Sequence, residues 1–305
     1  MDIWTLRFTL ILGLFMVWDL HAAGKSSETE FKSKIKLWTR APGGYWDDRD
    51  PKPLGEKEYQ VKSQVRAKLF DIQYAQEVEV RGEFLHEIIE SYKPAVANCD
   101  GVILHFNNGM LVPIPLSLIA KGRVEIMLAV AKAEGKTFSQ NFPKLSKPSN
   151  EWRDPRPIVF QSNKLVLSQA WHPGYGEVRP QGFNPFHHVD SVNGIEWISL
   201  SAYEKQFHLA DATQAGQTVY LHRCQFCHNI QGLGARFGWD FAGPIKIYEK
   251  RNPSSLHNHV SFEKLDALER GLMMPAQKDF TEAEALDLWS FMKMAAQKVP
   301  QSYAP

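Results

Sequence analysis

The sequence predicts an α+β chain of two domains, a mainly-β N-terminal domain followed by an all-α C-terminal domain. Alternating apolar segments broken by turn signals dominate residues 59–205, and helical periodicity takes over from Asp211. The length of 305 residues accommodates two domains at roughly 150 residues each. Apolar residues make up 44% and charged residues 23%, a balance that excludes a disordered or fibrous chain. The 35 Lys and Arg against 34 Asp and Glu leave no charge excess to attract nucleic acid or an anionic membrane surface.

Residues 1–23 read as an export signal. Phe8 to Trp18 is an almost continuous apolar run, preceded by Arg7 and followed by the small pair Ala22-Ala23. The run is short against the ~20 residues that span a bilayer. The expected location is therefore the periplasm, with membrane association only where the signal stays uncleaved. Residues 24–58 are rich in charge, Gly and Pro, as in Arg40-Ala-Pro-Gly-Gly-Tyr and Asp50-Pro-Lys-Pro, and read as an extended arm with few strand or helix signals.

The β region, 59–205, begins its clear alternation at Glu77-Val-Glu-Val-Arg. Gly101-Val-Ile-Leu-His-Phe and Met110-Leu-Val-Pro-Ile-Pro-Leu flank Asn107-Asn-Gly, a hairpin signal whose second strand lies at a sheet edge because Pro113 and Pro115 cannot donate to a ladder. Further strands are expected at Val124 to Val130, Ile158 to Gln161, Lys164 to Leu167 and Ile195 to Leu200. The Gly- and Pro-rich run from Pro173 to Pro185 reads as a long surface loop.

The helical region, 206–305, places Leu265, Leu268 and Leu272 on one face. Thr281 with Glu284 forms a capping box that starts a helix running to about Gln297, which buries Leu288, Trp289, Phe291 and Met292.

Cys224-Gln-Phe-Cys-His228 fits the attachment pattern of c-type haem. Its spacing follows from the chemistry: two thiols add to two vinyl groups, and the next imidazole then lies beneath the iron. A zinc site would need two more ligands, and no second Cys pair exists among the three cysteines. A thioredoxin-like pair would need a βαβ context that is missing. Cys99, without an obvious partner, reads as a small buried hydrophobe. Candidates for a sixth iron ligand are His257, His259, Met273, Met274, Met292 and Met294.

The segment resembles class I cytochromes c. That family has a helix with small residues before the haem motif, where Ala215-Gly-Gln-Thr-Val-Tyr220 stands here, and a last helix with an aromatic residue, where Trp289 and Phe291 stand. Between them it carries Gly, two or three residues, then Met-Pro, similar to Gly271-Leu-Met-Met274-Pro275. The resemblance implies one covalent haem c on Cys224 and Cys227, with His228 and Met274 as axial ligands and Met273 as runner-up. His and Met ligation raises the potential and leaves no open site, which favours electron transfer over oxygen chemistry. The family also has a Gly-Pro whose carbonyl accepts a bond from the haem histidine; Gly238-Trp239 stands at that position, with Gly243-Pro244 beyond it.

Before it, Val96-Ala-Asn-Cys-Asp-Gly-Val and Phe186-His-His-Val-Asp-Ser-Val-Asn-Gly-Ile-Glu-Trp197 resemble parts of the sulfite-oxidase-like molybdopterin domain. Cys99 lacks the context of a molybdenum thiolate, so the resemblance implies a fold without molybdenum. His187 and His188 lie on a strand-like segment, where only one of them can enter a given site. His188, or His172, is weighed as a metal or cofactor contact against the simpler reading of an edge strand, and Trp171, Tyr175 and Phe183 are read as packing.

The function expected is that of an exported monohaem cytochrome passing single electrons between periplasmic partners. A dehydrogenase would be the donor and a cytochrome or oxidase the acceptor. The alternatives are a molybdopterin-dependent oxidoreductase feeding its own haem, and a haem-bearing subunit of a membrane redox complex. An electron carrier is favoured over a stand-alone enzyme.

Overall fold

Alternation of side chains sets the first sheet. In β1, Ser33–Arg40, Ile35, Leu37 and Thr39 are buried, while Lys36, Trp38 and Arg40 take the opposite face. The computed structural model describes residues 31, 33–40, 53–71, 76–119, 126–134, 137–139, 164–167, 191–209, 213–243, 247–261 and 277–297. The export signal, the expected strand at 158–161, the loop at 173–185, the leucines at 265, 268 and 272, and residues His172, His187, His188, Met273 and Met274 lie outside them.

β1 pairs antiparallel with β2, Pro53–Val61, and parallel with β10, Val192–Ile198. β10 pairs with β5, Gly101–Phe106, which pairs with β6, Leu111–Pro115, to give the order β2-β1-β10-β5-β6. The two prolines of β6 are tolerated because it is an edge. The turn between β5 and β6 matches its sequence signal. Gly109 takes φ +85° and donates to Phe106 O, and Phe106 donates to Met110 O.

The stretch 24–58 is thus not an arm in its described part, since it supplies β1 and most of β2. Lysines and an arginine alternating with Ile and Leu give a charged composition, but the strand is held by β10, whose paired residues lie 158 positions further along the chain.

The second sheet contains β3, Val65–Asp71; β4, Gln76–Phe84; β7, Ile126–Glu134; β8, Thr137–Ser139; and β9, Lys164–Leu167. β4 pairs with β3 and β7, and β9 pairs with both β7 and β3, which closes the four strands into a ring. Val78, Val80, Met127 and Ala129 form a small core of their own. Ile126, Leu128 and Val130 face the other way. They join the inner face of the first sheet and helix α1, Leu85–Glu90, in the main core.

The outer face of the first sheet is also covered. Ile103 of β5 and Ile198 of β10 pack into a second core with the helical region. This region contains α3, Leu200–Lys205; α4, Gln214–Val219; α5, Ile247–Lys250; α6, Pro253–Ser261; and α7, Glu282–Gln297. A short α2, Leu116–Ile119, follows β6. The capping box is present, with Thr281 N–H donating to Glu284 Oε2 and Glu284 N–H to Thr281 Oγ1. The region is not all-α. A π-helical turn, Tyr220–Cys224, continues α4, and a two-residue hairpin of β11, Asn229–Ile230, and β12, Leu233–Gly234, follows it. The positive φ of Gln231 and Gly232 makes that tight turn. Among the described residues no helix is long and apolar enough to cross a membrane.

Phe226 belongs to the main core although it lies in the helical region, and it is 1% exposed. Phe226→Ala is expected to cost about 3–5 kcal/mol, read as a lower urea midpoint with an unchanged slope.

Candidate haem site

The site is assembled around a turn that two helices hold. Gly216 lets α4 cross α7 at close range: a Cβ there would lie 2.1 Å from Asp287 O and 2.6 Å from Phe291 Cβ. The π turn then follows, closed by Gln225 N–H donating to Tyr220 O at 3.0 Å. His228 N–H donates to Cys224 O at 2.8 Å, so both cysteines and the histidine sit on one continuous turn.

Arg223 fixes the start of that turn to α7. Its side chain is 3% exposed; it bonds Asp279 at 3.0 Å and Glu284 at 3.0 Å, and its guanidinium lies over the ring of Phe280. A buried cation of this kind needs its partners, because removing them leaves an uncompensated charge. Tyr220 supports the other side. Fully buried among Phe207, Phe241 and Phe291, it donates its hydroxyl toward the carbonyls of His228 and Leu233 at 3.0 and 3.2 Å. Burial holds this phenol well above its ordinary pKa, so it remains a neutral donor.

The β5–β6 turn clamps the motif from outside. Leu111 N–H donates to Phe226 O at 3.1 Å and Arg236 N–H to Gly109 O at 2.9 Å.

His228 is oriented through Nδ1, which donates to Trp239 O at 2.9 Å and leaves Nε2 for a metal. Trp239 therefore supplies the carbonyl from the position of the family's proline. Gly238 is needed beside it, since a Cβ there would meet the imidazole at 2.4 Å. The ring of Phe241 covers the imidazole at 4.6 Å between centroids. Asp240 ties the loop down by accepting from the backbone N–H groups of Gln231, Gly232 and Ala242. Burial lowers the His228 pKa, partly offset by the Trp239 carbonyl and Asp240, so the imidazole is neutral and able to ligate at pH 7.

Cys224 and Cys227 are buried free thiols, each pushed up to about 12 by burial. That is opposite to the depressed thiol of a disulfide-exchange motif. Among the described residues no group of three or more His, Cys, Asp or Glu is placed to hold a metal ion. Two adjacent thiols and a half-buried imidazole presenting Nε2 do fit a covalently attached haem.

Of the sixth-ligand candidates within the described residues, Met292 is fully buried in the second core and Met294 packs against it. His257 Nε2 bonds Phe280 O at 2.9 Å, and His259 is half-buried on α6. Met273 and Met274 lie outside the described residues. Cys99 packs against the main core beside Val96 O, and its thiol pKa is raised by burial, as for a packing residue. Sequence reading missed Arg223, Tyr220 and Asp240. A charged residue directly before the first cysteine, in an otherwise apolar stretch, was the available signal for Arg223.

Residues 213–296 match the family model described as Cytochrome c. No curated protein and no solved structure matches the chain. The match supports a c-type cytochrome domain over that segment, which implies covalently bound haem c and electron transfer. It does not extend to the β region, so the likeness to a sulfite-oxidase-like domain gains no support.

Gly238→Ala is expected to push the His228 imidazole off the Trp239 carbonyl. The loss should be about 1–3 kcal/mol of stability, together with altered axial-ligand absorption in haem-loaded protein. Unchanged stability and spectrum would contradict this account of the loop.

Proposed function

We propose that this protein is an exported monohaem electron carrier, with haem c attached through Cys224 and Cys227 and its iron ligated by His228 and Met274. The observation that carries the reading is the convergence of two buried thiols and a Trp239-oriented imidazole on one turn, within the segment matched by the cytochrome c family.

Bound haem supplies a ferric–ferrous couple. The chain's own residues supply the rest. His228 offers Nε2 while Nδ1 is committed, which fixes the tautomer and keeps the ligand basic. Met274, were it the second residue to hold the haem, would supply a thioether, which favours the reduced state. Phe241 covers the imidazole, and Tyr220 and Arg223 keep the turn in place. Haem held there would let the chain accept one electron from a reduced donor and give it to an oxidised acceptor.

The export signal read in residues 1–23 favours the periplasm as the location, with a dehydrogenase-type donor and a cytochrome or oxidase acceptor as the expected partners. From Asp211 onward the chain carries ten acidic and ten basic side chains, so docking relies on local contacts rather than on a large charged patch. The β region's part is support: its β5–β6 turn holds the motif from outside.

Met274→Ala is expected to lower the midpoint potential and admit carbon monoxide to the ferrous protein. Met292→Ala should instead cost about 2–4 kcal/mol of stability and leave carbon monoxide excluded. An unchanged spectrum and potential in the Met274 variant would contradict the ligand assignment.

A further inference from the structure

A cavity of about 410 Å³ opens between the outer face of the first sheet and the β11–β12 hairpin, and none of Cys224, Cys227 or His228 lines it. Its size falls within the ~300–1,000 Å³ usual for small-molecule sites. Trp38 and Arg40 come from β1, Glu196 from β10 and His105 from β5, brought side by side by the register Trp38↔Glu196 and Gly194↔His105.

The polar groups at its floor are organised. Glu196 is 2% exposed and its carboxylate is saturated: Oε1 accepts from Arg40 Nε at 2.5 Å, and Oε2 from Arg40 Nη2 at 2.6 Å and His105 Nε2 at 2.9 Å. The carboxylate pKa is lowered by Arg40 and by the His105 bond against the opposing effect of burial, so Glu196 is ionised and fixes both neighbours as donors. Trp38 is fixed in turn, packed on Gly194 and against the ring of His105 at 4.7 Å.

One group on this wall lacks what it needs. Tyr203 is 3% exposed, lies beneath the Arg40 guanidinium, and its buried hydroxyl has no hydrogen-bond partner among the described residues. A buried unmet hydroxyl costs about 1–3 kcal/mol, and an acceptor entering the cavity would recover it. The lining has Lys36, Arg40 and Arg236 against Glu56 and Glu196, one more cationic than anionic side chain among these five. Trp38, Phe106, Leu111 and Leu233 provide apolar surface beside these charges.

We propose that this cavity binds a small organic carboxylate, its oxygen accepting from the Tyr203 hydroxyl beside Arg40 and its apolar body lying along Trp38. The site is independent of the haem assignment, and its test does not use electron transfer.

Benzoate, acetate and sulfate would be titrated into the full-length haem-loaded protein by calorimetry, with thermal unfolding as a second readout. Benzoate is expected to bind saturably and raise Tm, more strongly than acetate or sulfate, with no change in the haem spectrum. Tyr203→Phe removes a hydroxyl without removing a bond, so this variant should be at least as stable without ligand and should bind benzoate about tenfold more weakly. No saturable benzoate binding to the unmodified chain, equal affinity in the Tyr203 variant, sulfate binding as tight as benzoate, or benzoate shifting the haem spectrum would each overturn the proposal.

Discussion

Two backbone hydrogen bonds join the β5–β6 turn to the turn bearing the cysteines, from Leu111 N–H to Phe226 O and from Arg236 N–H to Gly109 O. The rest of the structure depends on them. They hold the motif at Phe226, between its two cysteines, and the following loop at Arg236, so the residues between and just beyond these two points have fixed ends. Within that frame the Trp239 carbonyl meets Nδ1 of His228, and Gly238 leaves the imidazole room to lie there. Phe226 takes the attachment further by entering the main core. The helical region is therefore built onto the sheet through the segment that carries its chemistry.

The first sheet serves two cores because its strands alternate cleanly. The inner face gives Leu37, Leu104 and Trp197 to the main core; the outer face gives Ile103 and Ile198 to the second. Where the outer face turns polar, at Trp38, Arg40, His105 and Glu196, it lines the cavity together with the β11–β12 hairpin. Burying an ion pair there is not an obvious gain in stability, since desolvation opposes the attraction. Its complete hydrogen bonding makes it a rigid wall.

Much of this was legible where the signal is local. The Asn107-Asn-Gly turn, the edge position of β6, the strand at 164–167 and the capping box at Thr281 each depend on residues a few positions apart. β1 was missed because its charges suggested an arm, and the partner that makes it a strand is β10. The β11–β12 hairpin is too short to show a period. At the site, the thiols and His228 follow from the motif itself. The Trp239 carbonyl is a backbone group that no side-chain pattern encodes, and the partners of Arg223 lie more than fifty residues downstream. The cluster of Arg40, His105 and Glu196 comes from three strands and exists only in the fold.

The most direct test of the account is whether haem is covalently bound to this chain at the motif. The protein would be matured in an exporting host with haem-attachment machinery, denatured, extracted with acidified solvent and digested for mass spectrometry. The account predicts that haem stays on the chain, one per molecule, on the peptide containing Cys224 and Cys227. Haem lost to the solvent, or that peptide recovered with two unmodified thiols, would contradict it.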